Sequence, residues 1–92
     1  MSVARITTAT FSSEQTADKF LAQYAKTAVT DFPEAEQLLT VKVDGNVVIG
    51  VGLYANNEAL ERASATRKKT LDNSDVLSID TKVGFVEINH TN

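Results

Sequence analysis

The 92-residue sequence predicts an α+β fold: strand, helix, strand, strand, helix, strand, with both helices on one face of a four-stranded antiparallel sheet. Three observations carry this. Two apolar runs are joined by Asp44-Gly45-Asn46, apolar residues recur at helical spacing from Ala17 to Val29, and Tyr54-Ala55-Asn56-Asn57-Glu58 leads into a second, alanine-rich helix. The order is the split βαββαβ pattern of ferredoxin-like folds, and right-handed crossovers put the two helices on the same side. The whole of 1–92 reads as one domain.

Val3 to Phe11 is rich in β-branched residues and bounded by Ser12-Ser13, the pattern of a first strand. The period then changes. Ser12 is a good N-cap, with Gln15 three residues on as its capping-box partner, and Ala17, Phe20, Leu21, Tyr24, Ala25, Ala28 and Val29 form one stripe. Pro33 ends this helix near Asp31 or Phe32, because the residue before a proline disfavours helical geometry. Glu34-Ala35-Glu36 reads as a short acidic connection into the hairpin.

A three-residue loop from Asp44 to Asn46 pairs Val43 with Val47, Val41 with Ile49 and Leu39 with Val51. Those residues and Leu53 then share one face. Such a loop requires a left-handed residue at Asn46. The second helix is capped by Asn56 or Asn57, carries Glu58 in its first turn and Arg67-Lys68-Lys69 in its last, and complements its own dipole at both ends. Glu58 and Arg62 are spaced as an i,i+4 pair. Leu60, Ala63, Ser64, Arg67 and Leu71 form its inner face. Residues 72–75 read as a turn, 76–80 are ambiguous, and Lys82 to Asn89 reads as the last strand.

The second strand of the hairpin carries Val48, Gly50, Gly52 and Tyr54 on its other face. Glycines inside a strand mark a close approach by a backbone, a helix or a ligand. Close helix packing is the simpler reading; the sharper one is floor space for a small-molecule pocket. The hairpin is thus apolar on both faces, and leaving either in water exposes a larger apolar patch than monomers carry. A second copy of the chain across a two-fold axis is the expected cover.

Composition narrows the function classes. The apolar fraction is 42% and the charged fraction 23%, ordinary for a globular domain. With no cysteine there is no thiolate chemistry and no disulfide. A net charge of −3 argues against a general nucleic-acid binder, and the strands lack the aromatic and basic pattern that stacks bases. No run approaches the roughly 18 apolar residues of a membrane span, and Met1-Ser2-Val3-Ala4-Arg5 leads into a strand pattern, so a cytoplasmic location is the default expectation.

The run Leu53-Tyr54-Ala55-Asn56-Asn57-Glu58-Ala59-Leu60, with Phe32-Pro33 after a long first helix, resembles the antibiotic biosynthesis monooxygenase-like family. That resemblance implies a dimeric α+β barrel in which two sheets face each other, with a pocket between sheet and helices in each subunit. Some members oxidise activated aromatic polyketides without metal or cofactor, and some degrade haem. The haem-degrading relatives use an asparagine on the first strand, a tryptophan, and a histidine on the second helix. Here Thr7 and Thr8 stand on the first strand, there is no tryptophan, and no histidine lies between Asn56 and Leu71. Haem degradation is therefore not expected.

No catalytic set can be assigned. His90 is the only histidine and sits three residues from the end, a solvated tail position. The carboxylates show no ligand-like spacing, so no metal and no cofactor is expected. Tyr24, Gly50, Gly52, Tyr54 and Asn56 are the ligand-pocket candidates. Two phenols near one cavity would orient a phenolic or carbonyl group; the plainer reading makes both tyrosines core residues and Asn56 a helix cap. Three functions fit: binding or cofactor-free oxidation of a small aromatic molecule, a non-enzymatic sensor or regulatory domain, and a structural dimer.

Overall fold

The computed structural model describes residues 1–72 and 76–92, with side chains for all of these except 70–72. The inward placement of Leu71 and the expected turn at 73–75 lie outside the described residues, while Asp72, read as the start of that turn, ends the second helix. The elements are β1 (Val3–Phe11), α1 (Glu14–Asp31), β2 (Ala35–Asp44), β3 (Val47–Tyr54), α2 (Asn57–Asp72) and β4 (Val76–Phe85). The sheet order is β2-β3-β1-β4, antiparallel throughout. This is the ferredoxin-like α+β fold. Among the described residues no helix is long and apolar enough to cross a membrane.

The hairpin pairs Leu39 with Val51 and Val41 with Ile49 as the pattern requires, but its tip differs. The register shifts between Lys42 and Asp44, and Asp44 rather than Val43 stands opposite Val47. The shift absorbs one residue, so the turn needs only Gly45 and Asn46, and neither has a positive φ. Asn46 acts on β1 instead: its carbonyl accepts from Phe11 N at 2.8 Å and its Nδ2 donates to Phe11 O at 3.0 Å.

Other local expectations are corrected by contacts that a linear pattern does not display. The cap of α1 is Ser13, whose hydroxyl accepts from Thr16 N while Thr16 Oγ1 accepts from Ser13 N. Of the α1 stripe, Ala25 and Val29 face solvent. Arg67 and Lys68 precede the last turn of α2, where only Lys69 stands. Arg62 bonds not Glu58 but Glu34, through Nε and Nη2 at 2.6 Å each, which ties α2 to the entry of β2. β2 itself begins at Ala35, inside the stretch read as a connection. β4 starts at Val76 and ends at Phe85 rather than running from Lys82 to Asn89, because it pairs with β1 from Phe11 back to Val3, and beyond Phe85 one further bond, Val86 N to Ser2 O at 2.9 Å, meets the residue before β1.

Strand alternation sends Val3, Arg5, Thr7, Ala9 and Phe11 of β1 toward the helices, opposite Tyr54, Gly52, Gly50 and Val48 of β3. The core under the helices is divided. One cluster holds Val3, Phe32, Tyr54, Ala59, Leu60 and Ala63; the other holds Ala9, Phe11, Ala17 and Val48. An aromatic row along α1 links them, with Phe20 stacked on Tyr24 at 5.6 Å and Tyr24 tilted against Phe32 at 6.0 Å. On the opposite sheet face Ile6, Leu39 and Val41 remain 43 to 54% exposed.

Candidate ligand site

Between the two core clusters the sheet and helices fail to meet, leaving a cavity of about 70 Å³. Its floor is Thr7, Gly50 and Gly52; Phe20 and Tyr24 of α1 form one wall, and Arg5 and Arg67 form the polar end. The gap follows from residue size. Where Ala9 and Val48 give way to Thr7 and Gly50 along the paired strands, no side chain large enough to reach the helices replaces them.

The two glycines have different roles. A Cβ on Gly52 would lie 3.1 Å from Tyr54 Cε2, 3.2 Å from Tyr54 Oη and 3.3 Å from Leu38 Cδ2, so this glycine makes room for the tyrosine ring. A Cβ on Gly50 would meet only Leu39 O, at 3.9 Å. Gly50 therefore borders open space, and neither position is occupied by helix backbone.

Two arginines enter this region from different elements. Arg5, 6% exposed, donates from Nη1 to Ser64 Oγ at 2.6 Å, and its Nη2 is 3.5 Å from Tyr54 Oη. Its guanidinium carbon lies 5.6 Å from the Tyr54 ring centre, a cation–π distance. Arg67 donates from Nη1 to Thr7 Oγ1 at 3.0 Å and Thr81 Oγ1 at 3.1 Å, hydroxyls paired across β1 and β4. Its Nε is buried without a partner.

The electrostatics reflect burial beside positive charge. Burial pushes the Tyr24 phenol above its ordinary value, Tyr54 adds to the rise, and Arg5 opposes it. Burial also raises Tyr54, against the pull of Arg5 and Arg67. Arg67 is lowered, first by burial and then by Arg5, yet a guanidinium stays protonated in proteins.

Of the residues singled out from the sequence, Tyr24, Gly50 and Gly52 line the cavity. Tyr54 is fully buried in the neighbouring core cluster and touches the site through Arg5. Asn56 lies apart; its Oδ1 accepts from Ala59 N at 2.9 Å as the cap of α2. His90 is in the exposed tail, its Nε2 3.1 Å from Asn92 Oδ1. Among the described residues no group of side chains could hold a metal ion. Arg5, Phe20 and Arg67 line the cavity without having been pocket candidates in the sequence, and Arg5 is the one that the sequence did not place on an inner face. Its signal was register: it falls in the same alternate row as Val3, Thr7, Ala9 and Phe11.

No protein-family model matches the sequence, and no curated protein matches it. Solved structures do. A dimeric ferredoxin-like protein from an uncultured marine organism is 15% identical, with a TM-score of 0.74 over 99% of this chain and 92% of that one. An N63A mutant of SnoaB, a cofactor-independent oxygenase from Streptomyces nogalater, is 14% identical, with a TM-score of 0.70 over 96% of this chain and 95% of its own. A monooxygenase from Streptomyces coelicolor, in complex with Nanaomycin D, is 10% identical, with a TM-score of 0.70 over 98% of this chain and 91% of its own. The chain shares the ferredoxin-like fold of these oxygenases. That fold hosts many functions, so the shared element order does not transfer an activity.

Proposed function

We propose that this chain is a homodimeric α+β barrel protein that binds a small aromatic molecule in the cavity of each protomer. The observation that carries this is the space above Gly50, walled by Phe20 and Tyr24 and closed at one end by arginines. The dimer part rests on the open sheet face, where Ile6, Leu39 and Val41 lie exposed side by side with Ile49 and Val51 between them. A cavity of about 70 Å³ is below the roughly 300 Å³ of drug-sized sites and about half the roughly 150 Å³ that holds benzene, so the ligand is no larger than a single inserted ring and enters only as the walls move apart.

Cofactor-free oxidation of the bound molecule is a second reading, favoured by the similarly folded cofactor-independent oxygenase and by a phenol, Tyr24, in the cavity wall. A sensor or regulatory domain would bind without turnover. Titration with simple phenols and naphthols, followed by tyrosine fluorescence and an oxygen electrode, separates these. Saturable binding that Gly50→Leu abolishes supports the site, and oxygen uptake on binding supports the oxidase reading. Absence of binding across the panel sinks the proposal and leaves a structural dimer.

A further inference from the structure

Resting on the aromatic cavity above, we propose that Arg5 and Arg67 form an anion subsite that takes the carboxylate of an aromatic acid. The two side chains are brought together by the fold. Arg5 and Thr7 stand two residues apart on the same face of β1, Arg5 bonds Ser64 and Arg67 bonds Thr7, and Ser64 and Arg67 are one turn apart on α2.

Neither guanidinium has a carboxylate partner among the described residues. Among the described residues every acceptor they use is a neutral hydroxyl: Ser64, Tyr54, Thr7 and Thr81. The acids that pair with cations do so elsewhere, Glu14 and Asp18 with Lys42, Glu34 with Arg62 and Asp80 with Lys82. Two like charges held in a partly buried site with no counter-ion among the described residues favour an anion that enters. Hydroxyls satisfy directions but not charge.

The geometry selects a carboxylate. Thr7 and Thr81 both engage Nη1 of Arg67, while its buried Nε makes no bond. The Nε–Nη2 edge is a side of a guanidinium that can bind a carboxylate through two parallel hydrogen bonds, and because Nε is buried here a carboxylate engages it only as the side chain swings toward the cavity. An aromatic acid would lay its ring against the stacked Phe20–Tyr24 pair above Gly50 and its carboxylate at the arginines, matching the apolar and polar ends of the cavity.

The test is an amide-resolved NMR titration of the purified chain with benzoate, benzamide and acetate. Benzoate is expected to bind at least about tenfold more tightly than its neutral isostere benzamide, shifting the amides of Thr7, Gly50 and Tyr24. Arg67→Gln should remove that preference, bringing benzoate to the affinity of benzamide measured on the same variant, and Arg67→Lys should restore part of it. Equal binding of benzoate and benzamide overturns the anion subsite but leaves the aromatic cavity standing. Binding of neither overturns both. Acetate binding as tightly as benzoate supports the arginine subsite and removes the aromatic cavity. The wild-type comparison needs no variant to fold.

Discussion

Tyr54 carries its ring back over Gly52, two residues earlier on the same face of β3, so closely that a Cβ there would sit 3.1 Å from the ring and 3.2 Å from the phenol oxygen. Gly50, two residues earlier again, meets nothing closer than 3.9 Å. Gly52→Ala should therefore destabilise the fold by about 1–3 kcal/mol through overpacking. Gly50→Ala should be neutral or stabilising, because it removes a flexible residue from a strand interior. Chemical denaturation of the two variants decides the matter, and equal losses would mean the glycines share one role.

Asn46 joins the hairpin tip to the end of β1, giving Phe11 both a donor and an acceptor. Asn46→Ala should cost about 1 kcal/mol, the net worth of one part-buried hydrogen bond. Asn46→Gly should cost at least as much, since the backbone here has no positive φ for glycine to relieve. A stabilising Asn46→Gly would show instead that the turn is left-handed at this position in solution.

The order of elements was legible because local composition and period are distinct: β-branched residues through Val3–Phe11, apolar runs on either side of Asp44-Gly45-Asn46, and helical spacing through Ala17–Tyr24. Errors arose where a distant partner decides. The hairpin tip slips by one residue at Val43, which no local pattern encodes. β4 hides its beginning because Ser78, Asp80 and Lys82 put polar side chains on the open sheet face, interrupting the apolar run that marks a strand. In the candidate site the paired glycines read alike in the sequence, but Gly52 accommodates the Tyr54 ring and only Gly50 has no close neighbour. Arg5 did not stand out, because a single charge in a β-branched strand reads as solvent-facing until the register is applied. Arg67 lay on the inner face of α2 in the sequence, but its place near a basic run pointed to the helix dipole rather than to Thr7.

The chain has two tyrosines, Tyr24 and Tyr54, and burial raises both phenols above their ordinary value of 10.0. A raised pKa means the folded state holds its proton when the unfolded chain has released it. The stabilising contribution is complete below about pH 10 and is lost as pH rises through the folded values. Lys42, raised by its bonds to Asp18 and Glu14, acts in the same direction. Ultraviolet tyrosinate absorbance isolates the phenols: both should titrate above free tyrosine, and Arg67→Gln should move Tyr54 higher still, since Arg67 pulls it down. A phenol titrating at the free value would place that ring in water.

The open sheet face makes the most direct prediction about assembly. Leu39 and Val41 of β2 lie across from Val51 and Ile49 of β3, and Ile6 of β1 pairs with Val51 from the other side. Val41 is 54% exposed in the single chain, far more than an apolar residue at the centre of a two-fold interface would be. Val41→Asp inserts a charge on both sides of such an interface, and should weaken a dimer by at least about 3 kcal/mol, roughly a hundredfold in dissociation constant. Val29→Asp is the control. Val29 is 83% exposed on the outer side of α1, so a charge there should leave assembly unchanged. Sedimentation equilibrium at micromolar concentration reads both: a wild-type dimer that Val41→Asp splits and Val29→Asp does not supports pairing through the sheet. A monomeric wild-type chain would mean that this face stays in water, and that the cavity is built by one protomer alone.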